Sequence, residues 1–233
     1  MTLGFILDPA WFLFAIPGLI IGFIASTRLR STYARYLRVP AMSGLTGAQA
    51  AREILDRAGM ADMPIREVRG QLSDHYDPLR KQLCLSSDNY HGRSLAALGV
   101  AAHEAGHALQ HQHAYAPLNF RMAIVPLANI ATSLSGILIM LGFFIASTAG
   151  KTMMIAGIAL FGCYTLFQLV TLPVEYDASR RAKLMLVKHG LISRQEETGV
   201  SRVLNAAALT YVAAMVAAVL QLLYFLSLFN RRD

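Results

Sequence analysis

Charged residues are scarce in this chain. Asp, Glu, Lys and Arg make up only 15% of it, against roughly 25% in soluble domains. Apolar residues make up 55%, which excludes disorder as well as a wholly water-facing protein. Cysteine is nearly absent. Cys84 and Cys163 are the only two, so neither a disulfide framework nor a CxxC metal site is available. There is no internal repeat and no low-complexity linker. The net charge is +7, but basic loops beside membrane spans account for it without nucleic acid, and no nucleic-acid partner is expected.

What is present is four charge-free stretches, at 9–27, 122–150, 152–174 and 203–230. A bilayer core of roughly 30 Å needs about 20 apolar residues in helical form, and buried core helices rarely run this long without a charge. The fold class expected is a mainly α integral membrane protein. It would have about four transmembrane helices and a small α/β unit between the first two. The first stretch has no basic segment before it and Arg28, Arg30, Arg35 and Arg38 after it, the order of an uncleaved anchor rather than a secretory signal. Twelve Lys and Arg lie in 28–121, one in the turn (Lys151) and six in 175–202. With four spans the two rich loops share one side, which the positive-inside rule makes cytoplasmic. Arg231 and Arg232 then lie outside, against the rule. The localisation expected is a multi-pass membrane protein. The organisation reads as an anchor (1–27), a cytoplasmic region (28–121), a transmembrane hairpin (122–174), a helix and loop (175–202), and a last span with its tail (203–233).

Within 28–121, Thr46 is suited to cap a helix whose apolar positions are Ala51, Ile54, Leu55 and Ala58, with Gly59 as its stop. Strands are expected at 65–68 and around Leu83, Cys84 and Leu85, with a turn at Asp77-Pro78. A second helix should run over 94–113. It carries His103-Glu104-Ala105-Gly106-His107, an HExxH pattern. Histidines four apart project from one helix face and can hold one ion. Glu104 is offset by about 100°, beside the ion, where it can take a proton from a water whose pKa a zinc ion lowers towards ~7. Glu104 is therefore the expected catalytic base, and His103 and His107 metal ligands.

A catalytic zinc ordinarily has a third protein ligand. His111 continues the helical row as a solvated or supporting residue. His113 has the six-residue spacing of a metzincin third histidine, but Gln110 stands where that motif needs glycine. The helix is expected to continue and turn His113 away. Glu175, at the end of the third span, returns on the hairpin to the side of the two histidines, and an acidic residue at a membrane boundary is a functional candidate.

Three separated motifs, SDHYDP (73–78), HEAGHALQH (103–111) and LPVEYDASRRA (172–182), resemble the YugP-like bacterial membrane zinc metallopeptidases over nearly the whole chain. More distantly the sequence is similar to HtpX-type and CAAX-prenyl membrane proteases. The resemblance implies a small α/β zincin-like catalytic unit holding one catalytic zinc, makes Glu175 its third ligand, and implies a place in the bacterial inner membrane. Those distant relatives usually place an Asp four residues after that Glu. Here Ser179 occupies the place, and Asp177, about 200° from Glu175 on a helix, should be unable to support the ligands. Tyr76, His75 and Tyr176 are possible oxyanion donors. Asp74 and Asp77 are expected to shape a turn, and 81–86 to be an exposed edge for an extended substrate.

The function expected is a membrane-embedded zinc metalloendopeptidase acting on unfolded or membrane-associated polypeptides at the cytoplasmic face. Two other readings compete. A non-catalytic adaptor that keeps a structural metal has no use for Glu104. A metal transporter needs ionisable groups inside the spans, which hold only Asn129, Gln168 and Gln221 as polar amides.

Overall fold

A computed structural model describes residues 9–231. Met1 to Asp8, the start of the expected anchor, and Arg232 and Asp233 of the tail lie outside the described residues. The chain is mainly helical, with a small sheet and four helices long and apolar enough to cross a membrane. In chain order the elements are α1 (Pro9–Tyr36), α2 (Gly47–Arg57), β1 (Ile65–Val68), β2 (His75–Asp77), β3 (Gln82–Ser86), α3 (Ser87–Tyr90), α4 (Leu95–Gln112), α5 (Ala116–Phe144), α6 (Thr148–Lys188) and α7 (Arg194–Asn230).

The four long helices, α1, α5, α6 and α7, overrun the charge-free stretches. Helix α6 continues 14 residues past residue 174 and has 41 residues in all, about 60 Å at 1.5 Å per residue. Charge ends a hydrophobic run but not a helix. The turn between α5 and α6 lies at 145–147 and not at Lys151, which is inside α6. Ser147 supplies the first carbonyl of that helix, accepting from Lys151 N at 3.2 Å, and its hydroxyl faces Gly150 N at 3.5 Å, so a capping residue sets the boundary.

The described residues divide into two compact units, 9–25 with 120–172 and 210–231, and 26–119 with 173–209. In the first, large apolar side chains such as Leu13, Leu19, Phe23 and Ile130 point outward, as lipid-facing helices require. Small residues let its helices approach: a Cβ on Gly157 would lie 2.7 Å from Ile139 Cγ1 and 2.9 Å from Ser135 O.

The second unit has a core. Helix α2 begins with a reciprocal cap, Gln49 N donating to Thr46 Oγ1 (3.1 Å) and Thr46 N to Gln49 Oε1 (2.9 Å). It ends at Gly59, whose φ of +75° only glycine adopts cheaply. Its face of Ala50, Ala51, Ile54 and Leu55 is fully buried and packs on α4. Each large apolar side chain so buried contributes about 1.5–3 kcal/mol. The sheet order is β1-β3-β2, with β1 parallel and β2 antiparallel to β3. Strand β3 is therefore central, and Leu83, Cys84, Leu85 and Ser86 are all buried. The expectation that 81–86 is an exposed edge is overturned, because both of its sides are already paired. Asp77 shapes its turn as expected, accepting from Leu79 N and Arg80 N, each at 3.0 Å. Asp74 does not. It reaches across to Ser86 N (2.7 Å) and Asn89 Nδ2 (2.8 Å), tying the strand to α3.

Candidate metal centre

Helix α4 opens at Ser94, whose Oγ accepts from Ala97 N (3.1 Å), and presents His103 and His107 from one face, their rings 4.8 Å apart and nearly perpendicular. Helix α6 meets it at Gly106. A Cβ there would lie 2.6 Å from Ala178 O, so the two helices touch backbone to backbone, and only glycine fits. That contact delivers Glu175. Its Oε2 lies 3.2 Å from His103 Nε2 and 3.6 Å from His107 Nε2. One donor atom from each of the three residues falls within 4.8 Å of the others.

The rear of each imidazole is engaged. His103 Nδ1 lies 3.1 Å from Ser179 Oγ. His107 Nδ1 donates to Gln110 Oε1 at 3.0 Å. The amide of Gln110 can point only one way, because its Nε2 donates to Val174 O (2.8 Å) and Asp177 Oδ2 (3.0 Å). Its oxygen therefore faces His107, the proton sits on Nδ1, and the Nε2 lone pair is left towards Glu175. Arg180 and Arg181 donate to Asp177 in turn.

Ser179, in the place where the distant relatives have Asp, meets His103 through its hydroxyl. This network corrects one expectation. Asp177 does support the ligands despite its angle on α6, because Gln110 bridges the gap to His107. Gln110 itself was visible in the sequence only as the residue that replaces a metzincin glycine. Its position three after His107, on the same helical side, is the signal that could have found it.

His113 also departs from expectation. Helix α4 stops at Gln112, and His113 is its C-cap, with Nδ1 donating to Leu109 O at 2.7 Å. Ala114 follows at φ +49°, so the chain leaves the helix without a glycine. His111 Nδ1 bonds the Tyr76 hydroxyl at 2.8 Å. Neither belongs to the group of three donors. Of the possible oxyanion donors, His75 bonds Ser73 O and is exposed, and Tyr176 is half exposed. Tyr76, held by His111 one turn beyond His107, is the one that faces α4.

Burial pushes the Glu104 carboxyl above the usual carboxylate range. The two imidazoles oppose that shift, and Glu175 and Asp74 add to it. For His107, burial acts to lower the pKa, but the bond to and charge of Glu175, with Glu104 and Gln110, hold it above its ordinary value. The pocket favours positive charge on its imidazole side, the field a cation would meet. Two imidazole nitrogens and a carboxylate oxygen, with a hydrogen-bond partner behind each imidazole at Nδ1, form a donor set suited to zinc.

A profile of the family described as "Putative neutral zinc metallopeptidase" matches residues 11–230. The chain belongs to that family. It is also similar to the "Putative membrane protease YugP" of Bacillus subtilis (strain 168), with 46% identity over 219 residues, covering 94% of this chain and 96% of that relative. No solved structure matches. The family description implies zinc, which the His103, His107 and Glu175 donors fit.

Proposed function

We propose that the chain is a membrane-embedded zinc metalloendopeptidase that hydrolyses peptide bonds of unfolded or membrane-associated polypeptides at the cytoplasmic face. The observation that carries this reading is the meeting of His103 Nε2, His107 Nε2 and Glu175 Oε2 beside a buried Glu104. The catalytic region is 28–121 with 175–202. The first and last spans anchor it, and 122–174 is the hairpin that returns Glu175.

His103, His107 and Glu175 would hold one zinc ion. When bound, it supplies a Lewis acid that polarises the scissile carbonyl and acidifies the attacking water. The chain's own residues do the rest. Ser179 and the Gln110–Asp177 pair keep the imidazoles turned with Nε2 forward. Glu104 takes the proton of the water and passes it to the leaving amine. The outer edge of β2 is unpaired in the sheet and suits an extended polypeptide. Between it and α4 is a cleft of about 340 Å³ lined by Met60, Met63, Tyr76, Lys81 and His111, with room for a side chain.

The test is cleavage of an unfolded protein by the purified chain, with zinc measured on the same samples. Glu104→Gln should lower turnover by about 10³-fold or more while zinc content stays near that of the parent. Glu175→Ala should lose zinc as well as activity. Turnover retained by Glu104→Gln refutes its role as base, and full zinc occupancy in Glu175→Ala removes it from the ligand set.

A further inference from the structure

Arg28 is the first cation after the first charge-free stretch, and Arg202 the last before the fourth. Both therefore stand at the polar boundary of a candidate membrane span. In the second unit they face one cleft of about 390 Å³, lined also by Thr32, Arg35, Tyr36, Asn205, Ala206 and Leu209. The lining follows helical faces, with spacings of four, seven and eight from Arg28 on α1 and of three, four and seven from Arg202 on α7. Arg30 and Arg38, from the same basic segment, do not line it. Topology alone asks only for cations near a span end. It does not ask that three of them, all exposed, border one cleft.

Arg35 and Arg202 converge on Tyr36. The Arg35 guanidinium lies 5.7 Å from the ring centroid, and Arg202 Nη1 donates to the hydroxyl at 3.2 Å. No acidic residue lines the cleft, and among the described residues none of the three arginines has a carboxylate partner. Like charges bordering one cleft repel, weakly where water screens them, and an anion seated between them turns that repulsion into attraction. Guanidinium forks match phosphate oxygens, and Thr32 and Asn205 add neutral donors. Ala206 and Leu209 give the α7 wall an apolar end, directed into the charge-free stretch.

We infer that Arg28, Arg35 and Arg202 form a site for the phosphate group of an anionic phospholipid. Phosphate is the shared chemistry of a lipid headgroup and a free ion, but the boundary position and the apolar end of the cleft favour the lipid. The inference does not depend on the peptidase reading, and its test needs no turnover.

The full chain, purified in detergent, is titrated with phosphatidylglycerol, phosphatidylcholine or inorganic phosphate, and bound lipid is read by native mass spectrometry. The parent should retain phosphatidylglycerol at least about tenfold more tightly than phosphatidylcholine, and the Arg28→Gln/Arg35→Gln/Arg202→Gln chain should lose that preference. Arg66→Gln/Arg69→Gln/Arg194→Gln removes equal charge elsewhere and should keep it. If the triple variant fails to fold, Arg28→Gln/Arg35→Gln leaves the Arg202–Tyr36 bond intact and should still weaken retention several-fold. Equal retention by variant and parent overturns the site. Millimolar phosphate binding through the same arginines without lipid retention overturns the lipid as its source.

Discussion

The two units of this chain solve opposite problems. Around 26–119 and 173–209, 24 buried residues form one continuous apolar core, and polar groups inside it are chained to one another, as in Asp177–Gln110–His107. Around 120–172 and its companions, the corresponding cluster has four buried residues, Ile139, Met154, Tyr224 and Leu228, and the large apolar side chains turn outward. Burial against water organises the first and cannot organise the second, whose medium is itself apolar. Chemistry that needs side chains held in place is confined to the unit with a core. The other contributes close helix approach through small residues.

Three substitutions test that contrast. The largest effect is expected at Gly106→Val. Its side chain would enter the backbone of Ala178, forcing α4 from α6, with a cost of about 3 kcal/mol or more and loss of most bound zinc. Unfolding of the detergent-solubilised chain and metal analysis measure both. A smaller effect belongs to Gln110→Ala, which strips His107 Nδ1 of its acceptor and should weaken zinc about 10–100-fold in a competition titration with a chelator. The smallest is Ile130→Ala, on an outward face of α5, with a shift within about 0.5 kcal/mol. A loss there as large as at Gly106 would mean that the first unit has a packed core after all.

Local features were legible in the sequence. The cap at Thr46, the stop at Gly59 and the start of a helix near Ser94 all rest on neighbours within a few residues. The four long helices and the approach of Glu175 to the two histidines were also legible, through hydropathy and a hairpin's return. What was not legible is non-local. The central place of β3 depends on a parallel pairing with β1 that no turn signal announces. Asp177 reaches His107 through a glutamine 67 positions away, which helical angles on α6 alone cannot reveal. The end of α4 before His113 has no glycine to mark it, because Ala114 adopts the positive φ instead.

Where Gly106 meets Ala178 there is no side chain to rearrange. Main-chain atoms have no alternative rotamers, so the contact acts as a mechanical stop on the approach of the two helices. Repacking elsewhere in the core can shift the flanks of α4 and α6, yet the gap between the HExxH turn and the carboxylate it faces is gauged by covalent geometry.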